Sequence, residues 1–107
     1  MTAIRFHAEF EDDLEVAWLW IARDDPAAAD RFVEAAEHTC AQIARQPQIG
    51  WERPWKRRKL TGLRSWRVEA FPNYLVFYRI EAEAVAMVAL MHGARSFERI
   101  LVKRLIG

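Results

Sequence analysis

Residues 84–91 read Ala-Val-Ala-Met-Val-Ala-Leu-Met, eight apolar side chains without a break. No other stretch so narrows what the chain can become. The run is too short to span a membrane and too apolar for a strand with one wet face, so it belongs in the middle of a sheet. The residues that follow, His92-Gly93-Ala94-Arg95, are then delivered to a rigid rim where the strand leaves the core. A chain of 107 residues has room for one core of this kind and therefore for a single domain, 1–107.

The rest of the chain supplies what such a strand needs. Residues 3–7 alternate, with Ile4 and Phe6 on one face, and predict a short strand. A helix is expected over 8–23, because Phe10, Leu14, Ala17 and Ile21 form an apolar stripe and Glu9, Glu11, Asp12 and Asp13 favour its N-terminus. Asp25-Pro26 is an N-cap followed by an N1 proline, starting a second helix that runs to about residue 45 with Ala29, Phe32, Ala36, Cys40 and Ile43 on its buried side. Pro47 and Gly50 close this helical hairpin. Strands are expected over 63–71 and 74–80, with a turn at Pro72-Asn73, and Glu81-Ala82-Glu83 makes the next turn. Ser96 is placed to cap a final helix over 97–105. The order is β-α-α-β-β-β-α, an α+β fold with a helical hairpin packed on a mainly antiparallel four-stranded sheet.

The formal net charge of +1 hides a segregation. Residues 1–52 carry 4 Lys/Arg against 11 Asp/Glu, whereas residues 53–107 carry 12 against 4. Arg53, Lys56, Arg57, Arg58, Lys59, Arg64 and Arg67 follow one another with no acidic residue among them. One basic surface and one acidic surface are expected, the basic one suited to nucleic acid or to an acidic protein. The lone Cys40 excludes an internal disulfide, and with only His7, His38 and His92 beside it no metal-ligand spacing arises, so neither metal nor cofactor is expected. The opening residues lack the apolar core of a signal peptide, which predicts a cytoplasmic protein with no membrane partner.

Two apolar features remain after the core is assigned. At about 100° per residue, Leu19 falls roughly 180° from the buried stripe of the first helix, and Val16 and Trp20 share that outer flank. They suggest a second contact surface. Among the five tryptophans, Trp66 alternates with Val68 and reads as core, while Trp51 and Trp55 either stack on a partner or pin the basic loop.

The segments Phe10-Glu11-Asp12-Asp13-Leu14, Asp25-Pro26-Ala27-Ala28-Ala29, Pro47-Gln48-Ile49-Gly50, Gly62-Leu63-Arg64, residues 74–80 and His92-Gly93-Ala94-Arg95 resemble, in order and spacing, the RelE/ParE superfamily of bacterial toxins. The ParE-like branch, once called plasmid stabilisation proteins, is the more similar. The resemblance implies the toxin of a type II toxin–antitoxin module, neutralised in a hetero-oligomer by a ParD-like antitoxin. ParE-like members are inhibitors of DNA gyrase and need a binding surface. RelE-like members are ribosome-dependent mRNA endoribonucleases, which need a base, an acid and cations around the scissile phosphate.

For the ribonuclease the candidates are Arg64, His92 and Arg95. No tyrosine follows His92, where RelE-like nucleases usually place a tyrosine or a further basic residue, and Phe97 stands in that region. Tyr78 reads as a core aromatic with its hydroxyl bonded. His92 has a second reading as a packed histidine on the face of Val88 and Leu90, and Arg95 as the partner of a carboxylate that holds the last helix. For the gyrase inhibitor, target binding falls to Lys56, Arg57, Arg58, Lys59, Arg64, Arg67, Arg95 and Arg99, and antitoxin binding to Val16, Leu19 and Trp20.

Overall fold

The computed structural model describes residues 2–106. Its elements are β1 (Ala3–Phe6), α1 (Ala8–Ala22), α2 (Pro26–Arg45), β2 (Trp51–Glu52), β3 (Leu63–Val68), β4 (Phe71–Ile80), β5 (Ala84–His92) and α3 (Phe97–Leu105). The strands form one sheet in the order β1-β5-β4-β3-β2. Only β1 and β5 are parallel; the other pairings are antiparallel.

The α+β class and the helical hairpin stand as expected, and the sheet has five strands rather than four. The added strand, β2, pairs Trp51 with Ser65 and Glu52 with Arg64. Two residues are too few for an alternating pattern to show in a sequence.

Both faces of β5 are covered, which is what its unbroken apolar run requires. On one side the α1–α2 hairpin packs Phe10, Phe32, Ala36 and Ile43 onto Val76, Tyr78, Met87 and Leu90. On the other side Leu101 of α3 packs with Leu60, Leu63, Phe77, Val88 and Met91. Leu101 has no exposed surface, a burial that contributes about 2 kcal/mol. A bulge decides which residues face which side. Phe77 pairs with Ala89 and Tyr78 with Met87, so Val88 is the extra residue of β5. Val88 and Ala89 therefore both face α3, and His92 shares its face with Leu90 but not with Val88.

The α2 start is built as its sequence suggests, with Pro26 in the first turn and the Asp25 carboxylate accepting the Ala28 N–H at 3.1 Å. Ser96 differs: it precedes α3 without making a side-chain cap. The turn between β3 and β4 also moves, from Pro72-Asn73 to Glu69-Ala70, with Ala70 at φ 66°. Pro72 and Asn73 lie inside β4, where the register jumps from Arg67↔Leu75 to Val68↔Phe71 and frees them from ladder pairing. A bulge is one of the few places a strand tolerates proline. The turn is fastened to α2 instead, because Thr39 Oγ1 accepts the Glu69 N–H at 3.0 Å and the Glu69 carboxylate meets His38 Nδ1 at 2.7 Å.

Cys40 is buried in the hairpin-side core. Burial, aided by the Glu37 carboxylate, pushes its thiol pKa from 9.0 up to about 12. Since the thiolate is the nucleophile, the folded protein should resist iodoacetamide at neutral pH and react readily in denaturant. Equal labelling in both would show an open core. The same shift means that the unfolded chain gives up this proton first, so stability falls as pH climbs from 9.0 towards about 12.

Candidate functional site

The basic loop is held in a fixed shape. The Arg57 carbonyl accepts the Leu60 N–H at 2.9 Å, the Thr61 N–H at 3.0 Å and the Thr61 hydroxyl at 3.0 Å. Leu60 is buried beneath, the Arg79 guanidinium donates to the Lys59 carbonyl, and Trp55 stacks on Phe77 with centroids 6.1 Å apart. Trp55 thus pins the loop. Trp51 stays exposed and leans on Trp66, which is only partly buried, at 5.3 Å.

Locked in this way, the loop displays Lys56, Arg57, Arg58 and Lys59 to solvent. Arg57 of the loop and Arg99 of α3 line one hollow. Arg67 pairs with Leu75, which belongs to the α3-side core, so it sits on that side of its strand, with its guanidinium 4.9 Å from the Trp66 ring centroid. Among the described residues none of Lys56, Arg57, Arg58, Lys59, Arg67, Arg95 or Arg99 has a carboxylate within salt-bridge reach.

Arg64 departs from this group. It alternates to the hairpin side, where its guanidinium donates to the Gly50 carbonyl at 2.7 Å and approaches Glu52 at 3.7 Å. Beside it the buried Tyr78 hydroxyl donates to the Pro47 carbonyl at 2.6 Å and accepts the Gly50 N–H at 2.9 Å. Burial raises the Tyr78 pKa, so this phenol stays protonated through the neutral range. Arg64 lies opposite Tyr78, whereas His92 lies opposite Tyr74, four residues along β4. That spacing is about 13 Å of strand. Arg64, His92 and Arg95 are therefore not one cluster.

His92 and Arg95 do come together, with two of the outer residues of α1. They line a cleft of about 380 Å³ with Val16, Trp20, Tyr74 and Leu90. The His92 ring meets Tyr74 edge-on at 5.1 Å, and its Nδ1 accepts the Ala94 N–H at 3.0 Å, which leaves the neutral ring's proton on Nε2. Val16, Leu19 and Trp20 are 60%, 53% and 62% exposed. Among the described residues Arg95 makes no ion pair that holds the last helix. Arg104 does so, donating to both carboxylate oxygens of Asp13 at 2.6 and 2.7 Å.

Asp13 also accepts the Leu90 N–H at 3.0 Å. β1 accompanies β5 only as far as Met87, so this carboxylate serves the open edge beyond. The fork-on-carboxylate geometry raises the Arg104 pKa further, so the guanidinium stays charged throughout the neutral range. In the sequence Asp13 looks like one more helix-start acid, and nothing local marks it. Among the described residues no three His, Cys, Asp or Glu side chains converge as a metal set, and no helix is long and apolar enough to cross a membrane.

Residues 4–97 match the family described as "ParE toxin of type II toxin-antitoxin system, parDE". The chain belongs to the ParE toxin family. The match covers nearly all of the sheet and both helices of the hairpin, and it places the protein in the RelE/ParE superfamily as a type II toxin. No curated protein matches the ParE-family chain at the sequence level. Solved structures share its fold at low identity. The chromosomal ParDE system of P. aeruginosa aligns with TM-score 0.68 and 14% identity over 86% of this chain and 96% of that one. The YoeB/ParE toxin of Agrobacterium tumefaciens gives 0.57 and 20% over 84% and 96%. The toxin–antitoxin complex RelBE2 of Mycobacterium tuberculosis gives 0.53 and 24% over 85% and 96%.

Proposed function

We propose that this ParE-family chain acts as a single toxin domain that inhibits DNA gyrase by binding it, and that a ParD-like antitoxin neutralises it in a hetero-oligomer in the cytoplasm. The observation that carries the reading is the commitment of Arg64 to the Gly50 carbonyl, away from His92 and Arg95. A ribonuclease needs base, acid and phosphate-holding cations within reach of one scissile bond; a binder needs only the exposed, unpaired cations of the loop and α3. Purified toxin should abolish supercoiling by gyrase and leave cellular transcripts intact, and replacing Lys56, Arg57, Arg58 and Lys59 together by glutamate should remove the inhibition. The alternative, a ribosome-dependent mRNA endoribonuclease, draws on the meeting of His92, Tyr74 and Arg95 in one cleft. Defined cleavage sites in RNA from induced cells, lost in His92→Ala or Arg95→Ala, would establish it instead.

The antitoxin reading rests on the cleft and on the outer face of α1. Val16, Leu19 and Trp20 offer apolar surface to an amphipathic segment, and Arg95, with no carboxylate within salt-bridge reach among the described residues, suits an acidic residue on that segment. Leu19→Asp should leave the thermal transition unchanged and weaken antitoxin binding by about tenfold or more, as expected for a lost apolar contact replaced by a buried charge. Calorimetry that returns the wild-type affinity would eliminate this surface.

A further inference from the structure

The side chain of Arg53 is unlike any other cation of the molecule. It lies under the basic loop with its guanidinium carbon 5.1 Å from the Trp55 ring centroid and 5.6 Å from those of Phe77 and Phe97. Among the described residues its one polar side-chain contact is a long bond to the Ser65 hydroxyl at 3.3 Å, and its buried Nε has no hydrogen-bond partner. Among the described residues no carboxylate reaches it within salt-bridge distance. A guanidinium drawn out of bulk water and left with unused donors is costly unless an anion completes it. Rings this close engage the guanidinium through its π faces and supply no acceptor to its in-plane donors.

Further cations stand beside it. Arg53 opens into a hollow of about 440 Å³ that it shares with Trp55, Ser96, Phe97, Glu98 and Arg99. Arg99 also borders the adjoining hollow, where Arg57 stands. Arg99 thus stands between two neighbouring hollows, with Arg53 on one and Arg57 on the other. The start of α3 faces the same space: Ser96 does not cap it, and the first amide to bond backwards is that of Ile100, to the Ser96 carbonyl. Glu98 is the one acidic group on the rim.

We infer that Arg53, Arg57 and Arg99 form an oxyanion site that holds a phosphate group. The planar donors of arginine match phosphate oxygens in pairs, and the ring of Trp55 at the edge gives an attached base or sugar a surface to lie on. The inference does not depend on gyrase or on mRNA being the target. The chemistry is shared by a backbone phosphodiester and by a terminal phosphomonoester, and the two are separable by experiment.

The test is a titration of the full-length protein, followed by amide and arginine side-chain NMR. The probes are inorganic phosphate and short single-stranded oligonucleotides with and without a 5′-phosphate. Phosphate should shift the resonances of Arg53, Arg99 and Phe97 at concentrations where chloride does not. Arg99→Gln and Arg57→Gln, both on exposed side chains, should each weaken phosphate binding by about tenfold, while Arg45→Gln at the end of α2 should leave it unchanged. Glu98→Gln should strengthen it several-fold, a gain that mere structural damage cannot produce. Preference for the 5′-phosphorylated strand would assign a terminal phosphate, and equal binding of both strands a backbone phosphate. Phosphate shifts no larger than those of chloride, or an Arg99→Gln protein that binds as the wild type does, would overturn the site.

Discussion

Asp13→Ala should lower the stability of the fold by about 4 kcal/mol, more than any other single change to a polar side chain here. The carboxylate answers two needs at once, the fork of Arg104 and the Leu90 N–H. Removing one member of a buried ion pair costs about 3–5 kcal/mol because the other charge is left behind. Arg104 is not fully enclosed, with 22% of its side chain exposed against 11% for Asp13, and can turn partly to water. That lowers the ion-pair share, and the stranded Leu90 amide adds about 1–3 kcal/mol. The loss is large against the roughly 5–15 kcal/mol that a domain has in total. Arg104→Ala should cost less, about 2 kcal/mol, since Asp13 keeps its bond to Leu90 and can be solvated. Thermal or urea unfolding checks the ranking; an Asp13→Ala midpoint at or above that of Arg104→Ala would refute it.

Gly50→Ala is expected to cost about 3 kcal/mol, by crowding and by the bonds that crowding breaks. A methyl group at this position would stand 2.6 Å from the Tyr78 hydroxyl and 2.7 Å from the Ser65 carbonyl oxygen. Neither neighbour can retreat, because Tyr78 is wholly buried and Ser65 O belongs to a strand backbone. The 46–50 turn must move instead, giving up the Gly50 N–H bond to Tyr78 and the Arg64 bond to the Gly50 carbonyl. Tyr78→Phe removes the nearest obstacle and alone costs about 1–2 kcal/mol, for it strands the Pro47 carbonyl and the Gly50 amide. The two substitutions should therefore be less than additive in a double-mutant cycle. Strict additivity would mean that the hydroxyl is not what the methyl meets.

Much of this architecture is legible in the chain because burial writes periodic patterns. The α1 and α2 stripes, the Asp25-Pro26 start and the unbroken β5 run each have one physical solution, and the structure adopts it. The failures share a cause. β2 is too short to carry a period. The Glu69-Ala70 turn uses an alanine in the left-handed region, which no turn rule favours, while Pro72-Asn73 has the chemistry of a turn and serves a bulge instead. The Val88 bulge shifts the parity of β5, so the faces counted by alternation are wrong beyond it.

The candidate site was legible as composition rather than as geometry. A run of seven cations between Arg53 and Arg67 signals a basic surface. Period-2 alternation then sends Arg64 to the opposite face, and three aromatic rings enclose Arg53. The reading of Arg95 as the partner of a carboxylate that holds the last helix does not hold among the described residues, where Arg104 pairs with Asp13 instead.

The bond between Asp13 and Arg104 closes a circuit of 91 residues. During synthesis a ribosome must translate past position 104 before the second jaw of this clasp exists, long after α1 has been made. A message broken just upstream of that codon yields a polypeptide in which Asp13 still answers the Leu90 amide but has no guanidinium to tie it to the last helix. For a member of a toxin family, such late locking ties completion of the fold to an intact transcript.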